Sequence, residues 1–145
     1  MKSTLKTLKS DIESLANDEY MSVAQQAAFK RYLLADHAQT LSTMQSATQG
    51  LKEDNKGSDD ADWSTGQEML EENLREEDRC RFRLLEIAKA LKNMKDDMYG
   101  FCVDSGEEIG LARLMANPVA CRDIHHQDLY DRDKALNPQA RSRAA

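Results

Sequence analysis

The chain turns at Asp59-Asp60-Ala61-Asp62-Trp63-Ser64, an acidic stretch between two long segments of helical pattern. The first segment runs from about residue 22 to residue 56, and the second from about residue 64 to residue 98. At about 1.5 Å of rise per residue, each would form a helix on the order of 50 Å long. Because the loop between them is short and polar, we expect an antiparallel pair, a rod with carboxylates at its tip.

Hydrophobic spacing predicts how the two arms of the rod pack. The first arm repeats Ala27, Leu34 and Leu41 at heptad spacing, and the boxes Ser22–Gln25 and Ser64–Gln67 predict where the arms begin. The second arm has apolar residues at alternating steps of four and three, which is typical of a coiled-coil seam. These residues are Cys80, Leu84, Ile87, Leu91, Met94 and Met98.

The pattern predicts an all-α protein, a long antiparallel coiled-coil hairpin with a small zinc-finger-like knob and a C-terminal helix. Residues 1–21 hold an amphipathic helix that must pack on the knob or on the base of the rod. Residues 22–98 form the hairpin, with its acidic tip at 57–64. Residues 99–137 form the knob, with a short helix at Leu111–Ala116 and a last helix from about residue 119, and residues 138–145 a flexible tail.

Charge and composition limit the classes of function. The 145 residues carry a net charge of −6, with 32% charged and only 6% aromatic residues. These values fit one largely helical domain with a large wetted surface. An acidic protein is a poor ligand for nucleic-acid phosphates, which Lys and Arg neutralise. We therefore expect no direct binding to DNA or RNA, and a partner with an electropositive or metal-containing cavity.

The same features indicate the compartment. No apolar run approaches the ~20 residues of a membrane span, and the N-terminus lacks a hydrophobic signal core. The three cysteines, Cys80, Cys102 and Cys121, are too few and too unevenly spaced for a secreted disulfide scaffold. We expect a cytoplasmic protein that does not enter a membrane.

A candidate metal site lies in the knob, where two pairs of residues have the spacing of zinc ligands. Cys102 and Ser105 are three residues apart, and so are Asp123 and His126. Structural zinc prefers four thiolate or imidazole ligands in a tetrahedron. Because serine is a poor zinc ligand and carboxylates are seldom used in structural sites, the motif indicates a degenerate four-ligand site.

Two other interpretations of the knob stay open at this point. Cys102 and Cys121, with His125 or His126, form an alternative ligand set for zinc. Ordinary packing without a metal is favoured over both sets, with Cys102 as a small buried residue. The apolar residues available for that packing are Met94, Met98, Ile109, Leu111, Leu114, Met115, Ile124 and Leu129.

The tip has one feature that distinguishes it from a merely solvated acidic loop. Trp63 is the only tryptophan of the chain, and at the tip of a rod it can be buried only by a partner. No Ser-His-Asp order, phosphate-binding loop or acid–base pair is present, so we expect no enzyme. A small metal hydrolase using the Cys, His and Asp residues of the knob is an alternative without a nucleophile–base arrangement to support it.

Several short motifs flank the rod and fill the knob. They are Asp18-Glu19-Tyr20-Met21, Ala24-Gln25, Phe29-Lys30-Arg31, Asp78-Arg79, Tyr99-Gly100-Phe101-Cys102, Gly106-Glu107-Glu108-Ile109-Gly110-Leu111-Ala112-Arg113-Leu114 and Ala116-Asn117-Pro118. Together they resemble the DksA/TraR family of bacterial transcription factors, which bind RNA polymerase through its secondary channel. The resemblance covers roughly residues 18–132, and its most specific part is the knob motif. Gre factors share the rod-and-globule plan by analogy only.

The resemblance implies how the tip works. The family tip has the form D-x-x-D-x-A; Asp59 and Asp62 fall on its two aspartates, and Ser64 replaces its alanine. The family's aspartates act near the polymerase's catalytic metal and its mobile trigger and bridge elements, and they change the stability of promoter complexes. We therefore expect Asp59, Asp62, Trp63 and Ser64 to form the polymerase-binding tip.

The resemblance also implies that no metal is bound. The family's four zinc cysteines fall on Cys102, Ser105, Asp123 and His126, of which only the first is a cysteine. The family includes members with fewer cysteines that keep the fold without metal, and this sequence is similar to those. We expect no cofactor, with zinc as the alternative.

A third implication concerns guanosine tetraphosphate, which family members bind together with polymerase through basic residues. Those positions are Arg83, Glu86, Asn117 and Gln127 in this chain. An acid and two amides in place of cations would bind an anion poorly. We expect a monomeric regulator of RNA polymerase with weak or no dependence on the nucleotide. The alternative is a coiled-coil scaffold that kept the fold without polymerase binding.

Overall fold

The structure is a computed structural model, and it describes residues 2–54 and 63–136. The described residues form helices and, apart from one isolated bridge between Phe101 and Glu108, no β-structure. The helices are α1 (Lys2–Ser14), α2 (Val23–Asp54), α3 (Trp63–Lys95), α4 (Leu111–Ala116) and α5 (Ile124–Leu136). The predicted all-α fold class is confirmed.

Helices α2 and α3 pack along each other as the two arms of the rod. Leu33 on α2 and Ile87 on α3 are fully buried between them. Further along, Arg83 on α3 donates two hydrogen bonds to Asp36 on α2. Burying a side chain such as Leu33 or Ile87 contributes about 1.5–3 kcal/mol each, so the base of the rod is its most stable part.

The seam is confirmed on the second arm and wrong on the first. On α3, Cys80 and Ile87 are buried, although Met98, which follows the end of the helix, is half exposed. On α2, Leu34 is 50% exposed and Ala27 is exposed as well. The residues that α2 buries are instead Gln25, Ala28, Phe29, Tyr32, Leu33, Thr40 and Ala47.

The error on α2 has a physical reason. Ala27, Leu34 and Leu41 recur every seven residues, as in a two-helix seam, but α2 contacts two neighbours, α1 and α3. Its buried face is therefore wider than a two-helix seam, and it includes polar residues such as Thr40, whose hydroxyl donates to the Asp36 carbonyl at 2.8 Å. A search for apolar residues alone cannot find such a face.

The link between α1 and α2 is organised by a buried glutamine. Gln25 Nε2 donates to the Leu15 carbonyl at 2.8 Å, and its Oε1 accepts the Met21 N–H at 2.9 Å. The Gln25 N–H in turn donates to the Ser22 hydroxyl at 3.3 Å. Only the serine half of the box predicted at Ser22–Gln25 therefore forms, because the glutamine oxygen accepts from Met21 and the Ser22 N–H donates to the Glu19 carbonyl instead. Ile12 of α1 is buried in the same core.

The second predicted box is wrong. The helical backbone of α3 already begins at Trp63, so Ser64 lies inside the first turn and does not precede the helix. The other end also differs, because α3 stops at Lys95 and the chain reverses through Asp97, which has a positive φ of 55°. The rod is therefore shorter at its base than the apolar pattern suggested.

The Tyr20 hydroxyl joins the knob to the base of the rod, and the Tyr99 hydroxyl forms a hydrogen bond within the knob. Tyr20 donates to the Gly100 carbonyl at 2.6 Å and accepts the Gly110 N–H at 3.1 Å. Tyr99 is buried and donates to the Pro118 carbonyl at 2.7 Å. These contacts span 80 and 90 residues for Tyr20. The two Tyr20 hydrogen bonds connect the segment before α2 to the chain on either side of the knob turn, at Gly100 and at Gly110.

The last helix departs from the sequence prediction in position and in packing. Helix α5 begins at Ile124, five residues after the predicted start near residue 119. It buries none of its residues, and Ile124 is 71% exposed. Ile124 and Leu129 therefore do not support the knob core as predicted, whereas Ile109 and Leu114 do.

None of the helices in the described part of the chain combines the length and the apolar character that crossing a bilayer requires.

Replacing Gly100 with alanine should destabilise the protein more than replacing Gly110. Both glycines have a positive φ, 91° and 92°, so each alanine carries backbone strain of about 1–3 kcal/mol. At Gly100 the new Cβ would also lie 2.6 Å from Met21 Cγ, whereas at Gly110 no atom lies within 4 Å. We expect urea unfolding to show an additional loss of about 1–3 kcal/mol for Gly100→Ala. Equal losses for the two variants would contradict the close packing of Met21 on Gly100.

Candidate functional site

The tip assigned from the sequence lies mostly in the part of the chain that is not described. Asp59 and Asp62 fall between the two described ranges, so their assignment stays a prediction. Trp63 and Ser64 form the start of α3. Because α2 ends at Asp54 and α3 begins at Trp63, the link between the arms contains both aspartates.

The acidic residues that follow the tip on α3 are largely paired with arginines of the same helix. Arg75 binds Glu71 at 3.0 Å, and Arg79 binds both Glu72 and Glu76. Further along, Arg81 binds Glu77 at 2.8 Å. Such exposed pairs contribute little to stability, but they neutralise the charge locally. The acidic character predicted around the turn is therefore weaker along α3 than the sequence suggested.

A polar layer crosses the rod at mid-length, and the sequence analysis missed it. The Arg83 guanidinium donates to Asp36 at 2.7 and 3.1 Å, in a pair that is largely buried. Beside it, the Gln39 side-chain oxygen is buried without a hydrogen-bond partner in the described part of the chain. An open groove of about 210 Å³ runs along this layer; it is lined by Asp36, Gln39, Thr40, Thr43, Glu76, Arg79, Cys80 and Arg83.

The four positions assigned to the nucleotide are divided among three elements. Arg83 and Glu86 are on α3, where Arg83 is occupied by Asp36 and also lies 3.5 Å from Glu86. Asn117 ends α4, and its N–H donates to the Arg113 carbonyl. Gln127 is on α5, where its amide donates to Asp131 at 3.1 Å. Helix α5 packs against no other described helix, so the helices carrying Arg83 and Gln127 are not in contact.

The four degenerate zinc positions do come together in the knob. Cys102 is fully buried, and its backbone lies at the start of a tight turn, with its N–H donating to the Glu107 carbonyl at 2.8 Å and its carbonyl accepting the Gly106 N–H at 2.8 Å. Asp123 and His126 belong to the start of α5. The ligand atoms of Cys102, Asp123 and His126 lie within 4.8 Å of one another. Ser105 completes the group, with its hydroxyl 3.5 Å from Asp123.

Asp123 is the centre of this cluster. Its Oδ1 accepts the His126 N–H at 2.8 Å, which caps the start of α5. Its Oδ2 lies 2.7 Å from the His126 Nδ1. The His126 N–H holds the pKa of the Asp123 carboxyl well below its usual range, and hydrogen bonds from the His126 ring and the Cys102 thiol act in the same direction.

The donor set does not fit a structural zinc. Two tetrahedral ligand atoms about 2.0–2.1 Å from the ion would lie roughly 3.3 Å apart. Asp123 and His126 are closer than that, because they are hydrogen-bonded to each other at 2.7 Å. Both carboxylate oxygens already have partners, and the remaining donors are one thiol and one hydroxyl. In the described structure, hydrogen bonds therefore close the position that four cysteines would share.

The alternative ligands are not part of this cluster. Among the described residues, the group of converging ligand atoms contains neither Cys121 nor His125. The Cys121 sulfur lies 3.7 Å from Arg122 Nη1, and the exposed His125 packs edge-to-face on His126. The three cysteines are free thiols. The ligand set built on Cys102, Cys121 and a histidine is therefore not assembled.

The chain is similar to a group of bacterial transcription factors. No family model matches it. It is 33% identical over 130 residues to the RNA polymerase-binding transcription factor DksA of Caulobacter vibrioides, covering 89% of this chain and 92% of the relative. It is 34% identical over 104 residues to the factor of the same name from Escherichia coli K12, covering 71% and 69%.

A solved structure has the same fold. The structure of transcription factor DksA2 from Pseudomonas aeruginosa superposes with a TM-score of 0.76 at 29% sequence identity. The match covers 86% of this chain and 98% of the other. Both the rod and the knob are therefore included in the similarity.

We expect the knob to stay folded without zinc. Proteins that depend on a structural zinc unfold when it is chelated. Here Ile109 and Leu114 are buried, and Asp123 closes the cluster by hydrogen bonds. Thermal unfolding followed by circular dichroism should give the same midpoint with and without a strong chelator. A midpoint lowered by many degrees, or stoichiometric zinc in elemental analysis, would instead make Cys102, Asp123 and His126 ligands.

Proposed function

The chain belongs to the DksA family of RNA polymerase-binding transcription factors, and from this we propose that it binds RNA polymerase through the secondary channel and regulates transcription with its tip. The observation that carries the proposal is the extent of the similarity. It spans 92% of a relative that is named for polymerase binding, and it therefore includes the whole rod-and-knob plan. A channel of limited width selects for a thin two-helix rod, and α2 and α3 form such a rod.

The tip residues Asp59 and Asp62 would act by electrostatics. Two carboxylates at the end of a rod can approach a metal-containing centre and change the energy of its mobile elements without making or breaking a covalent bond. The arginine pairs along α3 support this role, because they leave the neighbouring part of the rod with less net charge. A regulator of this kind needs no catalytic residues, and we assign none.

The site of action follows from the partner. A factor that enters RNA polymerase works where the bacterial polymerase works, in the cytoplasm, and contacts DNA or RNA only through the enzyme. One rod fills one channel, so we expect one monomer of this chain on each polymerase.

Binding is tested with purified components. The full-length chain should co-elute with purified RNA polymerase in gel filtration at micromolar concentrations, in a one-to-one ratio. Absence of a complex under these conditions would favour the scaffold alternative, in which the fold persists without this partner.

Asp62→Asn should separate binding from regulation. The substitution removes one tip charge and keeps the shape of the side chain, so the rod should still enter the channel. We expect nearly unchanged co-elution with polymerase and loss of the effect on transcription from a responsive promoter in vitro. The matched control is Asp96→Asn, which removes the same charge at an exposed position at the other end of the rod. Full activity of Asp62→Asn would show that the tip assignment is wrong.

Guanosine tetraphosphate should strengthen the effect only weakly. Glu86 and Gln127 offer no cation, and Arg83 is already paired with Asp36. Phosphate recognition relies on charge-assisted hydrogen bonds, which these residues cannot supply to an anion. The measurement is in vitro transcription with a polymerase that lacks its other nucleotide site, with and without the nucleotide.

The matched comparison for that assay is a variant in which basic residues replace Glu86, Asn117 and Gln127. The triple variant Glu86→Lys, Asn117→Arg, Gln127→Lys should respond more strongly to the nucleotide than the parent chain. A large enhancement with the parent chain itself would contradict the assignment.

A further inference from the structure

Helix α5 lacks the packing that normally holds a helix in place. It has 13 residues, buries none of them, and packs against no other described helix. Isolated helices of about 12–15 residues are marginal in water, because packing usually supplies most of their stability. The order and direction of α5 must therefore come from contacts at its beginning, where it leaves the knob.

Arg122, the residue before the helix cap, makes contacts in both directions. Its Nε donates to Asp104 Oδ2 at 2.5 Å, in the turn that follows Cys102. Its guanidinium carbon lies 4.1 Å from the ring centre of Tyr130, in the second turn of α5. The Arg122 carbonyl also accepts a hydrogen bond from Arg113 Nε at 2.9 Å. The side chain is 19% exposed, so it lies within the joint.

We propose that Arg122 is a positioning residue that fixes the direction of α5 on the knob, in place of the metal that the donor set does not fit. A structural zinc would tie the 102–105 turn to the start of α5. Here the Ser105 hydroxyl and the Cys102 thiol contact Asp123 across the same joint. Arg122 adds a separate connection through Asp104 and Tyr130, which reaches the second turn of α5. The planar guanidinium suits this position, because it can donate in its plane and stack on an aromatic face at the same time.

The strap formed by Asp104, Arg122 and Tyr130 determines which way the exposed side of α5 points. Ile124 and Leu136 are both more than 70% exposed, at opposite ends of the helix. The direction in which these two side chains point depends on the polar contacts between the knob and the start of α5, because α5 has no buried residues. The strap lies within the chain, so it should hold α5 whether or not a partner is bound.

Hydrogen exchange on the full-length chain tests the strap. Arg122→Ala should speed amide exchange in 124–130 by roughly tenfold, since a hydrogen bond to a charged group contributes about that factor or more. Exchange in the packed seam at 84–91 should not change. The matched control is Arg132→Ala, which removes an exposed arginine of α5 whose ion pair, within residues 2–54 and 63–136, is with Asp128 on the same helix. Its effect on 124–130 should be at most about twofold.

Swapping the charges of Asp104 and Arg122 tests whether their ion pair itself holds α5, as opposed to a general destabilisation of the fold. Asp104→Arg alone should speed exchange in 124–130, and the double variant Asp104→Arg, Arg122→Asp should recover part of the protection. Unchanged exchange in Arg122→Ala, or faster exchange that extends equally through 84–91, would overturn the proposal. A double variant that is no better protected than its parents would overturn the part assigned to Asp104.

Discussion

The direction of the rod depends on the hydroxyl of Tyr20. It bonds the Gly100 carbonyl and the Gly110 N–H, and so fixes the link before α2 to the chain entering and leaving the knob turn. Met21 fills the space above Gly100, where a Cβ would not fit. Losing the hydroxyl would leave the Gly110 N–H without this acceptor, whereas the Gly100 carbonyl would keep the hydrogen bond from the Ile109 N–H at 2.8 Å. A tip on the order of 50 Å away can be placed reproducibly only if this joint is rigid.

The sequence predicted the two arms of the rod well, because long helices with a seam on one arm have a strong periodic pattern. Ile87 and Cys80 lie where the spacing placed them, and Leu111–Ala116 has the predicted bounds. The prediction failed on α2, which packs against two helices, α1 and α3, and buries the polar residues Thr40 and Gln25. It also failed on α5, where Ile124 and Leu129 looked like core residues. Whether an apolar side chain is covered depends on tertiary placement, which periodicity does not contain.

The candidate sites show the same division. The spacing of Cys102 with Ser105 and of Asp123 with His126 correctly predicted one cluster. Residues three apart at a turn or at a helix start place their side chains on the same side. The spacing did not indicate that Asp123 would use both oxygens on His126, or that Arg122 would bind Asp104 across the joint. Arg122 and Asp104 are 18 residues apart, so no local sequence pattern predicts that pair. Asp123 and His126 are only three residues apart, but their spacing alone does not show whether they bind each other or a metal. The sequence likewise did not predict the partner of Arg83. Asp36 lies 47 residues away, and because Arg83 pairs with it, the guanidinium is already occupied and is less available to bind a phosphate.

The central claim is that the rod enters the secondary channel of RNA polymerase with its tip leading. Site-specific photo-crosslinking tests it most directly. A benzophenone side chain would replace Trp63 at the tip and, in a second variant, Val103 on the exposed knob turn. In complexes with purified polymerase, the account predicts that the Trp63 probe crosslinks to segments that line the channel near the catalytic centre. The Val103 probe should crosslink only to the outer surface. A stable complex in which the tip probe reaches only the outer surface would contradict the account.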